Sequence, residues 1–165
     1  NGVDTDTYLT NVGSFGEAFF KEYQEKSEQS PLRAGAIETL DRLLDGGVTM
    51  MVLSNHLQEH LEEQMAARHV HHKFKHISGN TAFDKSQITK MNKLDRLKKI
   101  MEEHGYKPEE SFIIGDSLEE PEIAHTLGMT GISVTWGCFS RKRLEASNTN
   151  HVIDEIEDLI RILWE

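Results

Sequence analysis

Residues 112–124 read F-I-I-G-D-S-L-E-E-P-E-I-A. A short apolar run ends at Gly115 and is followed at once by Asp116, Ser117, Glu119, Glu120 and Glu122. Carboxylates placed this way suit a hard divalent cation such as Mg²⁺, which takes one or two of them and fills its shell with water and phosphate oxygens. Asp116 is the candidate principal ligand, and Glu120, about one turn further on, is the candidate second acid. A second apolar run, V-T-M-M-V-L-S, ends at Ser54 and is followed by Asn55. A hydroxyl and a backbone N–H ahead of a helix form a natural phosphate contact. Lys93 opens a helix-periodic stretch and would supply the positive charge that a transferring phosphoryl group needs. Taken singly, each feature also has a plain meaning: Gly-Asp-Ser is a turn with a helix cap, and Ser54-Asn55 is a cap. Order and spacing together point to phosphate chemistry.

The elements that must position these residues follow from periodicity. Leu40, Leu43 and Leu44 with Ile37 predict a helix over 34–45, closed by Gly46-Gly47. The run 48–54 predicts a strand covered on both faces. A helix is expected over 57–67, a short strand over 74–78, a helix over 93–104 and a buried strand over 112–114. A helix over 121–127, a strand over 131–136 and a closing amphipathic helix over 154–163 complete the expectation. Ahead of these, residues 1–13 show no period. Phe15, Phe19, Phe20 and Tyr23 then mark a helix from Ser14 that Pro31 breaks. Strands alternating with helices imply an α/β fold: a parallel sheet with helices on both faces, its ligands gathered at the carboxyl ends of the strands. Ser54 and Asp116 both belong to that edge.

Composition limits the alternatives. The net charge of −10 argues against a nucleic-acid or membrane-surface partner but suits a divalent cation. Cys138 is the single cysteine, so no internal disulfide forms, and a reducing, cytoplasmic setting is expected. No apolar run approaches a membrane span. His56 and His60 share a helix face at a spacing that zinc can use, and His69, His71, His72 and His76 crowd one loop. Both groups are read as solvated surface. The aromatic stripe Phe15–Tyr23 is read as core, and would drive self-association if left uncovered.

The residues converge on a known family. M-V-L-S-N resembles the second motif of the haloacid dehalogenase-like hydrolase superfamily, in its phosphoglycolate phosphatase-like branch. K-L-D-R-L-K-K-I-M-E-E-H-G-Y-K-P-E-E-S-F-I-I-G-D-S resembles that family's third and fourth motifs together, and G-M-T-G-I-S-V-T-W-G its following strand. The likeness covers about residues 15 to 163. It implies a Rossmannoid core over 31–165 and a remnant of a helical cap over 1–30. It further implies Mg²⁺-dependent hydrolysis of a small phosphate ester through an aspartyl-phosphate. By position it makes Ser54 and Asn55 phosphate contacts, Lys93 the phosphate lysine, Asp116 the metal ligand and Glu120 the second acid, where the family usually has Asp. Lys90 competes with Lys93.

One motif is missing. The family's nucleophile sits in Asp-x-Asp-Gly-Thr after an apolar strand. Here the sole Asp-x-Asp is Asp4 to Asp6, with three residues before it and no glycine after. Asp4 as nucleophile and Asp6 as acid/base are therefore weak counterparts, and the first strand is expected upstream of Asn1. The alternative function is a catalytically inactive module of the same fold, serving binding or assembly. In the family fold the first strand lies between those ending at Ser54 and Asp116. Three arrangements stay open: something else supplies the strand, the two flanking strands pair directly, or the N-terminal residues fill the place.

Overall fold

The structure is a computed structural model and describes residues 30–81 and 92–164. The chain divides between residues 33 and 34, and every element below belongs to the unit Ala34–Glu165. The expected N-terminal helix with its aromatic stripe, Asp4, Asp6 and Lys90 lie outside the described residues.

Helix α1, Ala36–Asp45, buries Ala36, Thr39 and Leu43, spaced three and four apart, so one stripe faces inward. Its exit decides where the first strand starts. The Val48 N–H donates to the Leu43 carbonyl at 2.9 Å, so Val48 belongs to the helix cap. Strand β1 therefore spans Met51–Leu57 rather than 48–54. Helix α2, Gln58–Ala67, follows directly, and β2 is His76–Asn80, two residues later than expected. Helix α3 is Asn92–His104 and β3 is Phe112–Gly115. Helix α4 is Glu119–Leu127, starting two residues early because Ser117 and Glu120 cap it. Strand β4 is Thr130–Val134, then come α5, Arg141–Glu145, β5, His151–Ile153, and α6, Asp158–Trp164. The sequence pattern missed α5 and β5; at five and three residues they are too short to show a period.

All strand pairing among the described residues is parallel, with helices between the strands, which makes this an α/β Rossmannoid domain. The pairing falls into two sheets, however: β1 with β2, and β3, β4, β5 in that order. Direct pairing of β1 with β3 does not occur among the described residues. Burial follows. Strand β4, central in its sheet, is buried from Gly131 to Val134, whereas β1 is mostly half-buried. Phe112 and Ile114 of β3 stay 37% and 44% exposed.

Two helical layers cover the sheets. On one face Leu97 and Met101 of α3 pack with Ile123 and Ala124 of α4 against Ile113, Met51 and Leu53. On the other, Leu159 of α6 packs on Ile132, Val134 and Ile153. Leu43 of α1, Met50 and Ile160 of α6 form a third cluster. Among the described residues no helix is long and apolar enough to cross a membrane.

Candidate active site

The regular β1–β2 ladder runs from Met51↔His76 to Leu53↔Ser78 and resumes only at Leu57↔Asn80. Ser54, Asn55 and His56 face a single residue, Gly79, across that gap. A bulge of this kind bends the strand and re-aims its side chains. Gly79 makes it feasible: a Cβ there would lie 2.8 Å from the backbone of Gln58 and of His56. Within the bulge the Ser54 hydroxyl accepts the His56 N–H at 3.1 Å, and the Asn55 carbonyl accepts from the Asn80 amide at 2.9 Å. Ser54 is half-buried and Asn55 exposed.

Across the rim, β3 ends at Gly115 and the chain turns into α4. The turn carries the reciprocal bonds of a capping box. Ser117 Oγ accepts the Glu119 N–H at 3.0 Å, while Glu120 Oε2 accepts the Ser117 N–H at 3.2 Å and its hydroxyl at 2.6 Å. The spacing Ser-x-x-Glu would have disclosed this from sequence. Gly115 is required beneath it, since a Cβ would meet Glu120 Cγ and Cδ at 2.5 Å. Glu119, Glu120 and Glu122 also occupy the first turn of α4, where the helix dipole favours negative charge.

Lys93, in the first turn of α3, reaches this turn. Its Nζ lies 2.7 Å from Glu120 Oε1 and 2.9 Å from Glu119 Oε2. Burial opposes its charge, but the hydrogen bonds to Glu120 and Glu119 outweigh that, so its pKa sits above the ordinary value. Glu120 behaves symmetrically. Burial pushes its pKa up, while Lys93 and Ser117 pull it down further, leaving it below the ordinary carboxylate range. Glu119 as second partner of Lys93 escaped the sequence reading.

So did Arg96. One turn along α3 from Lys93, its Nη2 donates to the Ser54 carbonyl at 2.8 Å and its Nη1 to Ser78 Oγ at 3.2 Å. Residues three apart on a helix are surface neighbours. Helix α3 thus touches the ends of β1 and β2 through Arg96 and the β3–α4 turn through Lys93. That spacing was visible in K-L-D-R.

Asp116 has a different neighbourhood. Its Oδ2 accepts the Cys138 N–H at 3.1 Å, and the carboxylate holds the Cys138 thiol above its ordinary pKa. A Cβ at Gly137 would collide with Asp116, so the 137–138 loop closes on it only because residue 137 is glycine. Among the described residues Asp116 makes no ion pair, while both Glu120 oxygens are occupied. An uncompensated carboxylate at an exposed rim fits a hard cation that completes its shell with water and phosphate. Glu120 is positioned instead to fix Lys93.

The structure therefore brings Ser54, Lys93, Glu120 and Asp116 to one edge. The histidine groups gather no comparable set: among the described residues, no three His, Cys, Asp or Glu side chains could hold a metal ion. His76 turns instead to Tyr106, Nε2 to Oη at 2.8 Å, with the His104 ring 4.4 Å from its own.

The model of the haloacid dehalogenase-like hydrolases matches residues 3–134. A phosphoglycolate phosphatase of Vibrio parahaemolyticus is 26% identical over 150 residues, covering 90% of this chain and 64% of that protein. One from Haemophilus influenzae (strain 86-028NP) is 25% identical, covering 93% and 67%. The chain thus spans about two thirds or less of these relatives. A haloacid dehalogenase-like family protein from Streptococcus pneumoniae shares the fold with a TM-score of 0.76 at 16% identity, over 97% of this chain and 71% of that one. A predicted phosphoglycolate phosphatase from Haemophilus somnus 129pt gives 0.75 at 19%, over 98% and 69%. With a family model spanning most of its length, the chain belongs to the haloacid dehalogenase-like hydrolases, and phosphoglycolate phosphatases are among the proteins it is similar to.

Proposed function

We propose that this chain carries the phosphate- and metal-binding rim of a Mg²⁺-dependent phosphomonoesterase that works through an aspartyl-phosphate. The observation that carries it is the reach of α3: two side chains one turn apart touch the β1 bulge and the β3–α4 turn, so Ser54, Lys93 and Asp116 share one rim. The rim presents Asp116, Glu119 and Glu120 against Lys93 and Arg96, three negative charges to two positive. A phosphate dianion adds to that excess, so binding it needs a further cation. Asp116 is the residue to hold Mg²⁺, which when bound offsets charge on the phosphoryl oxygens.

The chain's own groups then have distinct tasks. Ser54 and Asn55 donate to phosphate oxygens from the bulge. Lys93, held by Glu119 and Glu120, supplies the fixed positive charge. An aspartate carboxylate attacks phosphorus in line, the ester P–O bond breaks, and the departing alkoxide takes a proton from a neighbouring acid. Water then attacks the acyl phosphate at phosphorus and releases orthophosphate, restoring the carboxylate. Asp4 and Asp6 are the counterparts within this chain for nucleophile and acid, outside the described residues. The substrate class is a small phosphate ester; phosphoglycolate is the one the relatives' names supply. We read residues 1–30 as a cap remnant and place the protein in the cytoplasm.

The test is hydrolysis of p-nitrophenyl phosphate with and without Mg²⁺, in the protein and in Asp116→Asn. Turnover that requires Mg²⁺ and disappears in Asp116→Asn supports the proposal. Equal turnover in both proteins, or none in either, overturns it, and the second result favours the inactive binding module.

A further inference from the structure

The bulge at 54–56 interrupts the β1–β2 ladder, and backbone groups that a regular ladder would pair need other partners there. Side chains take over that task. Arg96 Nη2 donates to the Ser54 carbonyl at 2.8 Å, and Asn80 Nδ2 donates to the Asn55 carbonyl at 2.9 Å. On the facing strand, Gln58 Oε1 accepts the Gly79 N–H at 2.5 Å, and Gln58 Nε2 donates to the Ile77 carbonyl at 3.1 Å. Arg96, Asn80 and Gln58 thus hold a stretch whose strand pairing is broken.

Arg96 differs from the other two in origin. Gln58 opens α2 and Asn80 ends β2, so both belong to the β1–β2 unit itself. Arg96 comes from α3, three residues after Lys93, and its other donor reaches Ser78 Oγ of β2 at 3.2 Å. One planar guanidinium therefore spans two strands, which its fixed fork can do and a lysine's point charge cannot match. The Ser54 hydroxyl is oriented at the same place. It accepts the His56 N–H at 3.1 Å, which leaves its own hydrogen to donate elsewhere. Lys93 and Arg96 are neighbours on one helix surface. The separation of the Ser54 hydroxyl from the Lys93 ammonium is thus set through α3.

We infer that Arg96 is the positioning residue of the phosphate site: without touching substrate, it ties the Ser54 bulge to α3 so that Ser54, Asn55 and Lys93 meet one phosphoryl group. This rests on the phosphate reading of the rim. Other roles for Arg96 give different results. A charge acting at a distance is replaced by any cation, and a merely structural contact loosens the whole domain when it is lost.

The experiment compares the full chain with Arg96→Met, which removes every donor, and Arg96→Lys, which keeps the charge but not the fork. Binding of inorganic phosphate in the presence of Mg²⁺ is titrated by phosphorus NMR, and amide exchange is followed residue by residue without phosphate. Both variants should bind phosphate at least about tenfold more weakly. In both, the His56 amide should exchange at least about tenfold faster, while those of Ser117 and Glu119, held by the capping box across the rim, change by less than about twofold. If Arg96→Met does not fold, Arg96→Lys decides alone. Phosphate binding by Arg96→Lys equal to that of the wild type would show that the charge suffices and overturn the inference. So would an unchanged His56 amide, or Ser117 and Glu119 amides accelerated as much as that of His56. A wild-type chain that takes up no phosphate with Mg²⁺ would instead overturn the phosphate reading of the rim, and this inference with it.

Discussion

Removing the Lys93 ammonium tests the wiring of the rim. The Lys93 and Glu120 side chains are only 13% and 8% exposed, and Lys93 also serves Glu119. Deleting one partner of a buried pair costs about 3–5 kcal/mol, against about 0–1 for a surface pair. This pair sits at a rim, and Ser117 still donates twice to Glu120 after the change. For Lys93→Met we therefore expect a loss of about 2–3 kcal/mol at pH 7, a fall in Tm on the order of 10 °C. The pH dependence has a definite sign. Glu120 has a depressed pKa in the folded chain, so its contribution is present above the ordinary 4.5 and disappears as pH falls through the folded value. Lys93 has a raised pKa, so its contribution is present below the ordinary 10.5 and disappears as pH rises through the folded value. The gap between wild type and Lys93→Met should be widest between those limits and close at both ends. Urea unfolding followed by circular dichroism, at pH 7 and at points stepped below 4.5 and above 10.5, measures it. The double variant Lys93→Met/Glu120→Gln should recover most of the loss, because the uncompensated charge is gone. A loss below about 0.5 kcal/mol at pH 7, the level of an exposed pair, or no recovery in the double variant, would refute the reasoning.

Two other outcomes follow from the structure. The Thr39 hydroxyl is buried with no hydrogen-bond partner among the described residues, so Thr39→Val should be neutral or stabilise by about 1 kcal/mol, seen as a higher urea midpoint; a clear loss would mean that the hydroxyl has a partner. The His76 pKa is lowered by burial, by His104 and by Lys75, so the folded chain resists protonation there and should lose stability as pH falls through 6.5. His76→Gln should flatten that part of the pH profile, and an unchanged slope between pH 7 and pH 5.5 would count against it.

The sequence by itself determined the alternation of strands and helices, because side-chain periodicity is local and each apolar run needs cover. It also brought Ser54, Lys93 and Asp116 into view as residues at the ends of such runs. Boundaries moved where backbone groups had competing partners. Val48 was drawn into the α1 cap, which delayed β1, and the Ser117–Glu120 box advanced α4. The partners of Lys93 and the role of Arg96 required tertiary contact, since a lysine alone does not say which of several nearby carboxylates it will meet. Most of all, the run M-V-L at 51–53 says that a strand wants apolar neighbours on both faces, but nothing in it specifies what lies along its edge. Edge partners are chosen by backbone N–H and C=O groups, which are the same in every residue but proline. Only the folded chain shows that, among the described residues, β1 pairs with β2 and β3 with β4 but β1 and β3 do not pair with each other.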